Sequence, residues 1–152
     1  MEFTFTNISL EHIDQVVKIE ETSFPTPWSR QAFTHEVLHN SFAHYIVALH
    51  GERVVGYAGV WIIIDEAHIT NVAVHPDFRR QGLGRGLMLE MMRLSIYSGA
   101  NRMTLEVRPS NTVARSLYQS LGFCERGLRR RYYKETGEDA IIMWHDDLTG
   151  RG

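Results

Sequence analysis

The chain has 152 residues, of which 43% are hydrophobic and 22% are charged, and its formal net charge is −2. This length allows one domain with a substantial core, so we expect a single domain over residues 1–152. The charge provides no overall attraction to nucleic acid or to an anionic membrane, and we expect neither as a direct partner.

The N-terminal half shows one strand pattern, then two helix patterns and three strand patterns. FTFTNI alternates in polarity and predicts a strand. LEHIDQVVKIEETSF predicts a helix, with an apolar face formed by Leu10, Ile13, Val16 and Val17. FPTPW interrupts this helix, and Ser29 can cap a second helix over SRQAFTHEVLHN. SFAHYIVALH and RVVGYAGVWIIID predict antiparallel strands around the turn His50 to Glu52, and EAHITNVAVHPDF predicts a third strand that ends at Pro76.

The C-terminal half begins with a glycine-rich loop, RRQGLGRG, that leads directly into the helical pattern LMLEMMRLSIYSGA. RMTLEVRP alternates next, and it places Glu106 on the face opposite its apolar row. Asn111 begins the helix NTVARSLYQSLGF, and CERGLRRRYY and EDAIIMWHDDL predict two last strands around the turn Glu135 to Gly137. This order of elements predicts an α/β fold, with a mixed sheet and helices on both of its faces.

Three features of the sequence bear on the cellular compartment, and they agree with one another. The single cysteine, Cys124, excludes an internal disulfide. The first residues, MEFTFTNISLEHID, lack the basic and apolar regions of a signal peptide. The longest apolar stretch, VVGYAGVWIII, is about half as long as the ~20 residues that a membrane-spanning helix needs. We therefore expect a cytoplasmic protein without a membrane span.

The glycine loop is a candidate binding site for a phosphate group. Gly82 and Gly84 allow the backbone to approach a bulky anion, and the first amides of a helix bind phosphate oxygens. A glycine that opens a helix also serves simply to reverse the chain. The loop is not a P-loop, which needs Gly-Lys-Ser/Thr. It is not a dinucleotide fingerprint either, because Gly82, Gly84 and Gly86 are separated by single residues.

The pattern Arg79-x-x-Gly82-x-Gly84 after the strand NVAV resembles the acetyl-coenzyme A motif of the GNAT acyltransferase superfamily. Within it, FPTPWS, NVAVHPDFRRQGLGRG, LEVRPSNTVARSLYQSLGF and RRRYY with EDAIIM resemble the RimI-type ribosomal-protein-alanine N-acetyltransferases. The resemblance covers nearly the whole chain and implies the GNAT fold, with a mixed, mostly antiparallel central sheet. It also implies acetyl-coenzyme A as co-substrate, no metal, and a protein N-terminus as acceptor, namely the alanine of a small-subunit ribosomal protein.

The resemblance also implies roles for individual residues. Glu106 would be the general base, Tyr118 the general acid and Asn111 a contact to the cofactor. Strand amides that would pair with the pantetheine arm belong to Val72, Ala73 and Val74. The loop that would hold the pyrophosphate consists of Arg79, Arg80, Gln81, Gly82, Leu83, Gly84 and Arg85.

The residues themselves support these roles, with alternatives. Glu106 lies near the end of a strand, where α/β sheets place ligands, although it can also be a solvated carboxylate. Asn111 and Tyr118 are two helical turns apart and can reach one ligand, whereas Tyr118 can also be a core aromatic. The segment Arg129 to Tyr133 can contact RNA by stacking, but a partly exposed strand is the simpler interpretation. The family resemblance suggests a wall of the substrate-peptide site there.

A second motif competes with this interpretation. HEVLH, His35 to His39, matches H-E-x-x-H, in which two histidines on a helix bind zinc and the glutamate is a general base. The extension that supplies a third ligand needs Gly at position 42 and His at position 45, where the chain has Phe42 and Tyr45. We therefore interpret His35, Glu36 and His39 as residues of a short helix beside the substrate site.

The sequence favours an N-terminal protein acetyltransferase. An α-amine of pKa ~8 is about one-tenth neutral at pH 7, whereas a lysine of pKa ~10.4 is neutral in less than about one molecule per thousand. An N-terminal acceptor therefore makes the smaller demand on the enzyme. The alternatives are a GNAT enzyme that acetylates a lysine, polyamine or small amine, a non-catalytic acetyl-coenzyme A-binding module, and the zinc protease.

Overall fold

A computed structural model of the protein describes residues 2–134 and 136–150, so Glu135 of the predicted turn Glu135 to Gly137 lies outside the described residues. The strands are β1 (Thr4–Asn7), β2 (Ala43–His50), β3 (Arg53–Ile63), β4 (Glu66–Val74), β5 (Arg102–Val107), β6 (Cys124–Tyr133) and β7 (Glu138–His145). The helices are α1 (Ile13–Ser23), α2 (Arg30–His39), α3 (Leu83–Tyr97) and α4 (Thr112–Ser120). Short 3-10 turns lie at Leu10–His12 and Pro76–Phe78.

The strands form one sheet in the order β1-β2-β3-β4-β5-β7-β6. All neighbouring strands are antiparallel except β4 and β5, which are parallel. On one face, Leu87 and Met91 of α3 pack into a core with Leu105. On the other face, Ile13 of α1 and Phe33 of α2 pack into a second core. The prediction of a mixed, mostly antiparallel sheet with helices on both faces is therefore confirmed.

The predicted helix starts are confirmed in two cases and modified in a third. Ser29 caps α2 by accepting a hydrogen bond from the amide of Ala32 at 3.1 Å. Asn111 caps α4 in the same way, accepting from the amide of Ala114 at 3.2 Å. Leu10 was predicted on the apolar face of α1, but it is 52% exposed, because Leu10–His12 form a 3-10 turn before the α-helix begins. None of the described helices has the length and apolarity needed to cross a membrane.

The sheet opens in its centre, between the two parallel strands. β4 and β5 pair only from Glu66 opposite Arg102 to His68 opposite Thr104. Beyond these residues β5 continues with β7 and β4 continues with β3, so the two parallel strands separate. A register shift in the β3–β4 pair leaves Thr70 as an extra residue in β4. Such a bulge bends and twists its strand, and here it lies at the start of the cleft between β4 and β5.

Candidate active site

The cleft between β4 and β5 opens into a cavity of about 300 Å³. Glu106 from β5, Asn111 at the start of α4 and Tyr118 within α4 all line this cavity. Two walls come from other parts of the chain, namely the segment 24–28 between α1 and α2, and Tyr132 and Tyr133 at the end of β6. The structure therefore brings together three residues that the sequence predicted for one site.

Glu106 is held through one of its two carboxylate oxygens. Its side chain is 11% exposed, and its Oε2 lies 2.6 Å from Nε2 of His68 in β4. Within residues 2–134 and 136–150, no hydrogen bond reaches the other oxygen, Oε1. Because an ionised carboxylate accepts hydrogen bonds at both oxygens, Oε1 has unused acceptor capacity. Such a group is suited to taking a proton from a bound amine.

Tyr118 combines the two interpretations that the sequence left open. Its ring packs against the α3-side core and lies 6.0 Å from the ring of Phe123. The same side chain lines the cavity. Burial raises the pKa of Tyr118 to about 12, so its hydroxyl keeps its proton throughout the neutral range. The residue is thus a packed aromatic that presents a protonated phenol to the site.

The loop before α3 has the geometry of an anion site. Gly82 is the N-cap of α3 with φ 77°, and no side chain caps this end of the 15-residue helix. A Cβ at Gly82 would meet no atom within 4 Å, and a Cβ at Gly84 would meet only Leu117, at 3.7 Å. The first amides of α3 are therefore free of a side-chain partner and open to an approaching group, which at a helix N-terminus is favourably an anion.

Positive charge surrounds this loop. Arg79 donates from Nε to the carbonyl oxygen of Val74 at 3.1 Å, and Arg85 donates to Ser120 Oγ at 3.1 Å. Arg80 adopts a positive φ of 65°, and Arg80 and Gln81 are exposed. These side chains and the helix end together form a site that fits a pyrophosphate.

The strand β4 presents backbone groups to the cleft. The amide of His75 donates to the carbonyl of Val55 in β3 at 2.8 Å. Since backbone groups alternate in direction along a strand, Val72 and Val74 direct theirs away from β3, toward the cleft, and Ala73 directs its own toward β3. Val72 and Val74, rather than all three predicted residues, are therefore the amides available to a bound pantetheine arm.

Among the polar residues that the sequence did not predict for the site, His68 and Glu20 have the most direct contacts to its parts. His68 contacts Glu106, as described, and the buried Glu20 lines the cavity from α1. The Tyr57 hydroxyl and the amide of Trp28, at 2.9 Å, donate to the two oxygens of Glu20. This contact holds the segment 24–28 against the cavity. A sequence signal existed for Glu20, because it falls on the same helical face as Ile13 and Val16, where a carboxylate must be buried.

The H-E-x-x-H match has a structural explanation. Glu36 is 7% exposed, and its oxygens accept hydrogen bonds from Asn40 Nδ2 at 2.7 Å, Trp61 Nε1 at 2.7 Å and the Tyr45 hydroxyl at 3.2 Å. His35 and His39 lie on the exposed side of α2, with ring centroids 5.4 Å apart. In the described part of the chain, no three His, Cys, Asp or Glu residues are grouped to hold a metal ion. Glu36 is buried and accepts three hydrogen bonds, whereas both histidines are exposed.

The segment Arg129 to Tyr133 forms the end of the edge strand β6. Its residues are exposed except for Tyr133, which is half-buried, and the Arg108 guanidinium lies over the Tyr133 ring, 3.9 Å from its centroid. Tyr132 and Tyr133 line the cavity. The arrangement therefore fits the wall of a substrate site better than a surface for stacking RNA bases.

Comparisons with known proteins agree with this geometry. Residues 13–123 match the model of the Acetyltransferase (GNAT) family. A Bacillus subtilis (strain 168) protein, provisionally named ribosomal protein bS18-alanine N-acetyltransferase, is 45% identical over 138 residues, which are 91% of each chain. The Escherichia coli (strain K12) ribosomal protein bS18-alanine N-acetyltransferase is 35% identical over 92% of this chain and 95% of its own.

A solved structure is also similar over its full length. The crystal structure of the ribosomal-protein-S18-alanine N-acetyltransferase from Escherichia coli superposes with a TM-score of 0.87 at 32% identity. The match covers 99% of this chain and 98% of that one. The chain therefore belongs to the GNAT family and is an acetyl-coenzyme A-dependent N-acetyltransferase.

Proposed function

We propose that this protein transfers the acetyl group of acetyl-coenzyme A to the N-terminal α-amino group of ribosomal protein bS18, whose first residue is alanine. The observation that carries this proposal is the position of Glu106, which lines the cavity between two separated strands and whose Oε1 has no hydrogen-bond donor among the described residues. The relatives named for this activity, at 45% and 35% identity over more than nine-tenths of the chain, support the same acceptor.

Binding of acetyl-coenzyme A is assigned to the loop 79–85, the strand β4 and Asn111. The N-terminal amides of α3 and the arginines around them would hold the pyrophosphate. The amides of Val72 and Val74 would pair with the pantetheine arm, and this pairing would continue the sheet into the cleft. The bound molecule supplies an activated acetyl group, and the remaining chemistry is done by side chains of this protein.

Glu106 and Tyr118 are assigned to the two proton transfers. Glu106 accepts a proton from the acceptor ammonium, and the neutral amine then attacks the thioester carbonyl carbon. The C–S bond breaks, the attacking nitrogen releases its second proton to solvent, and Tyr118 can donate its proton to the departing sulfur and regain one from solvent. Transfer from an ammonium of ordinary pKa ~8 to a carboxylate of ordinary pKa ~4.3 is uphill by about 5 kcal/mol. Glu106 must therefore be held close to the amine. Any positive charge that develops beside Glu106 opposes the transfer of the proton to it.

The acceptor peptide is assigned to the segment 24–28 and to the two tyrosines at the end of β6. Phe24, Trp28 and Tyr132 provide apolar and aromatic surface around the cavity. Glu20 fixes the backbone at Trp28, so this wall is formed before a peptide binds. A narrow, preformed entrance of this kind favours an extended chain end over a folded surface.

A peptide assay tests this function. The protein is incubated with acetyl-coenzyme A and a peptide that carries the bS18 N-terminus, and mass spectrometry locates the acetyl group. Matched peptides have the same sequence with a blocked α-amine and an internal lysine, and a polyamine represents the small acceptors. We expect acetylation of the free α-amine alone. Modification of the lysine or the polyamine at a comparable rate would favour the alternative acceptors.

A further inference from the structure

Glu106 lines a second cavity in addition to the one described above. This cavity has a volume of about 390 Å³ and lies on the face of the sheet that carries Trp61, His68 and Trp144. His68 is 37% exposed and lines this second cavity but not the first. Glu106 therefore has the acceptor cavity on one side and a histidine that is open to solvent on the other.

The contact between the two residues fixes the protonation of the histidine. A separation of 2.6 Å between His68 Nε2 and Glu106 Oε2 requires a hydrogen between the atoms. The ionised carboxylate has none, so the hydrogen belongs to Nε2 of His68. In the neutral ring the second nitrogen, Nδ1, is then unprotonated.

The surroundings hold His68 in this orientation. The Trp61 ring lies edge-on at 6.4 Å from the His68 ring, and the Trp61 indole nitrogen donates to the buried Glu36 at 2.7 Å. This is a role for the glutamate of the HEVLH segment: it fixes the tryptophan that packs beside the histidine.

We propose that His68 is the positioning residue of the general base. Its Nε2–H occupies Oε2 of Glu106, which leaves Oε1 to receive the proton of the acceptor ammonium. In that step the ammonium N–H bond breaks and the Oε1–H bond forms, while His68 keeps its own proton. The inference rests on the proposed function.

His68 is the donor that holds the base. Within the residues that the structure describes, no other group donates a hydrogen bond to Glu106, so removal of His68 leaves Oε2 without a protein donor. Charged groups that line the second cavity are Glu66 from β4 and Arg129 from β6. Arg102 of β5 pairs with Glu66 at 3.0 Å, and β3 and β7 contribute uncharged tryptophans.

The test measures kcat and the KM for each substrate in the wild type and in three variants. His68→Gln retains an N–H donor toward Glu106. We expect it to recover most of the kcat that His68→Ala loses, with the KM for acetyl-coenzyme A unchanged. His68→Ala should lower kcat by about tenfold, a part of the ~10²-fold that a general base contributes, and added imidazole should restore part of it. The exposed His35→Ala is the matched control and should behave as wild type.

Several outcomes would overturn the inference. They are a kcat for His68→Gln as low as that of His68→Ala, wild-type kcat in His68→Ala, and no recovery of His68→Ala by added imidazole. Thermal melting of each variant excludes unfolding as the cause of a loss. If the wild type itself fails to acetylate the α-amine of the peptide, the proposed function fails. If it does so and the His68 variants match its kcat, only the role of His68 fails.

Discussion

Glu36 and Glu106 are both largely buried carboxylates on the same side of the sheet, but they differ in the number of hydrogen bonds that they accept. Glu36 accepts three hydrogen bonds, from Asn40, Tyr45 and Trp61, whereas Glu106 accepts one, from His68. A buried carboxylate with all its partners in place stabilises the fold and has little capacity left for chemistry. The one with an unused oxygen next to a cavity can take a proton. The two glutamates are therefore distinguished by their hydrogen-bond partners, and not by how well the surrounding sequence matches a motif.

The helix starts show the same contrast. The N-terminus of α2 is satisfied by the side chain of Ser29, whereas α3 begins at Gly82 with no side-chain cap. Leaving helix amides without partners costs stability unless a ligand supplies them. The cleft and the start of α3 are thus the regions in which the protein leaves polar groups for its substrates to satisfy.

The largest expected effect comes from filling the space in front of α3. Gly84→Asp places a carboxylate where the pyrophosphate would lie, and like charge should abolish detectable binding of acetyl-coenzyme A in calorimetry. Gly84→Ala is the matched control, because a Cβ there makes an ordinary contact of 3.7 Å with Leu117, and it should bind within a few-fold of wild type. Gly82→Asp should also lose binding, although its positive φ adds strain. Wild-type affinity in Gly84→Asp would show that this loop does not bind the phosphates.

The next effect concerns the unoccupied oxygen of Glu106. Glu106→Gln keeps the size of the side chain but removes the base, and we expect kcat to fall by ~10²-fold or more. Affinity for acetyl-coenzyme A should stay within a few-fold, because no assigned phosphate contact is lost. Steady-state kinetics paired with direct binding measurements check both statements. Full kcat in this variant would remove Glu106 from the mechanism.

Glu36 should show the opposite behaviour. Glu36→Ala leaves the donors of Asn40 and Trp61 without an acceptor, whereas the Tyr45 hydroxyl still lies 3.4 Å from Asn71 Oδ1. Each unsatisfied buried group costs about 1–3 kcal/mol, so we expect the free energy of unfolding to fall by about 2 kcal/mol or more. The kcat of the folded protein should fall by less than the tenfold expected for His68→Ala, because Glu36 affects the base only through Trp61 and His68. Urea titrations would measure the change in stability, and kinetics on the folded fraction would measure the change in kcat. A loss of kcat without a loss of stability would contradict the structural role assigned to Glu36.

Sequence periodicity predicted the elements because each depends on local spacing. The apolar rows of α1, α3 and β5, and the caps Ser29 and Asn111, lie within a few residues of what they control. The cleft could not be predicted in this way, since it depends on where β4 and β5 stop pairing and on the bulge at Thr70. The contact between His68 and Glu106 joins residues that are 38 positions apart, a distance at which spacing carries no information.

The family resemblance supplied what spacing could not, namely that Glu106, Asn111 and Tyr118 belong to one site. They do line one cavity, and their individual roles stay predictions. The resemblance did not reveal Glu20 or His68, because each acts through a neighbouring residue and stands outside the quoted motifs. Such supporting residues become visible only when the hydrogen bonds of the first residue are known.

Tyr118→Phe should have a smaller effect than loss of the base. With the pKa of Tyr118 raised to about 12, donation to a thiolate of ordinary pKa ~8.5 is uphill by about 5 kcal/mol. A thiolate can leave without this proton, so we expect kcat to fall by less than ~10²-fold. Because the raised pKa favours the neutral phenol, kcat should show no alkaline limb from this group below about pH 11. Loss of activity through weaker cofactor binding alone would argue against the role of acid.

The smallest effect is expected for the two histidines of HEVLH. His35 and His39 are exposed on α2, and the glutamate between them already has three donors, so neither ring is placed to assist the chemistry. His35→Ala with His39→Ala should keep acetyl transfer within a few-fold of wild type and should leave the melting temperature nearly unchanged, since surface substitutions change stability by about 0.5 kcal/mol or less. Elemental analysis of the purified wild type should find no stoichiometric zinc. If the wild type held one zinc per chain and the double variant lost both the zinc and the activity, this helix would have a metal-binding role. Glu36 would then no longer be a purely structural carboxylate.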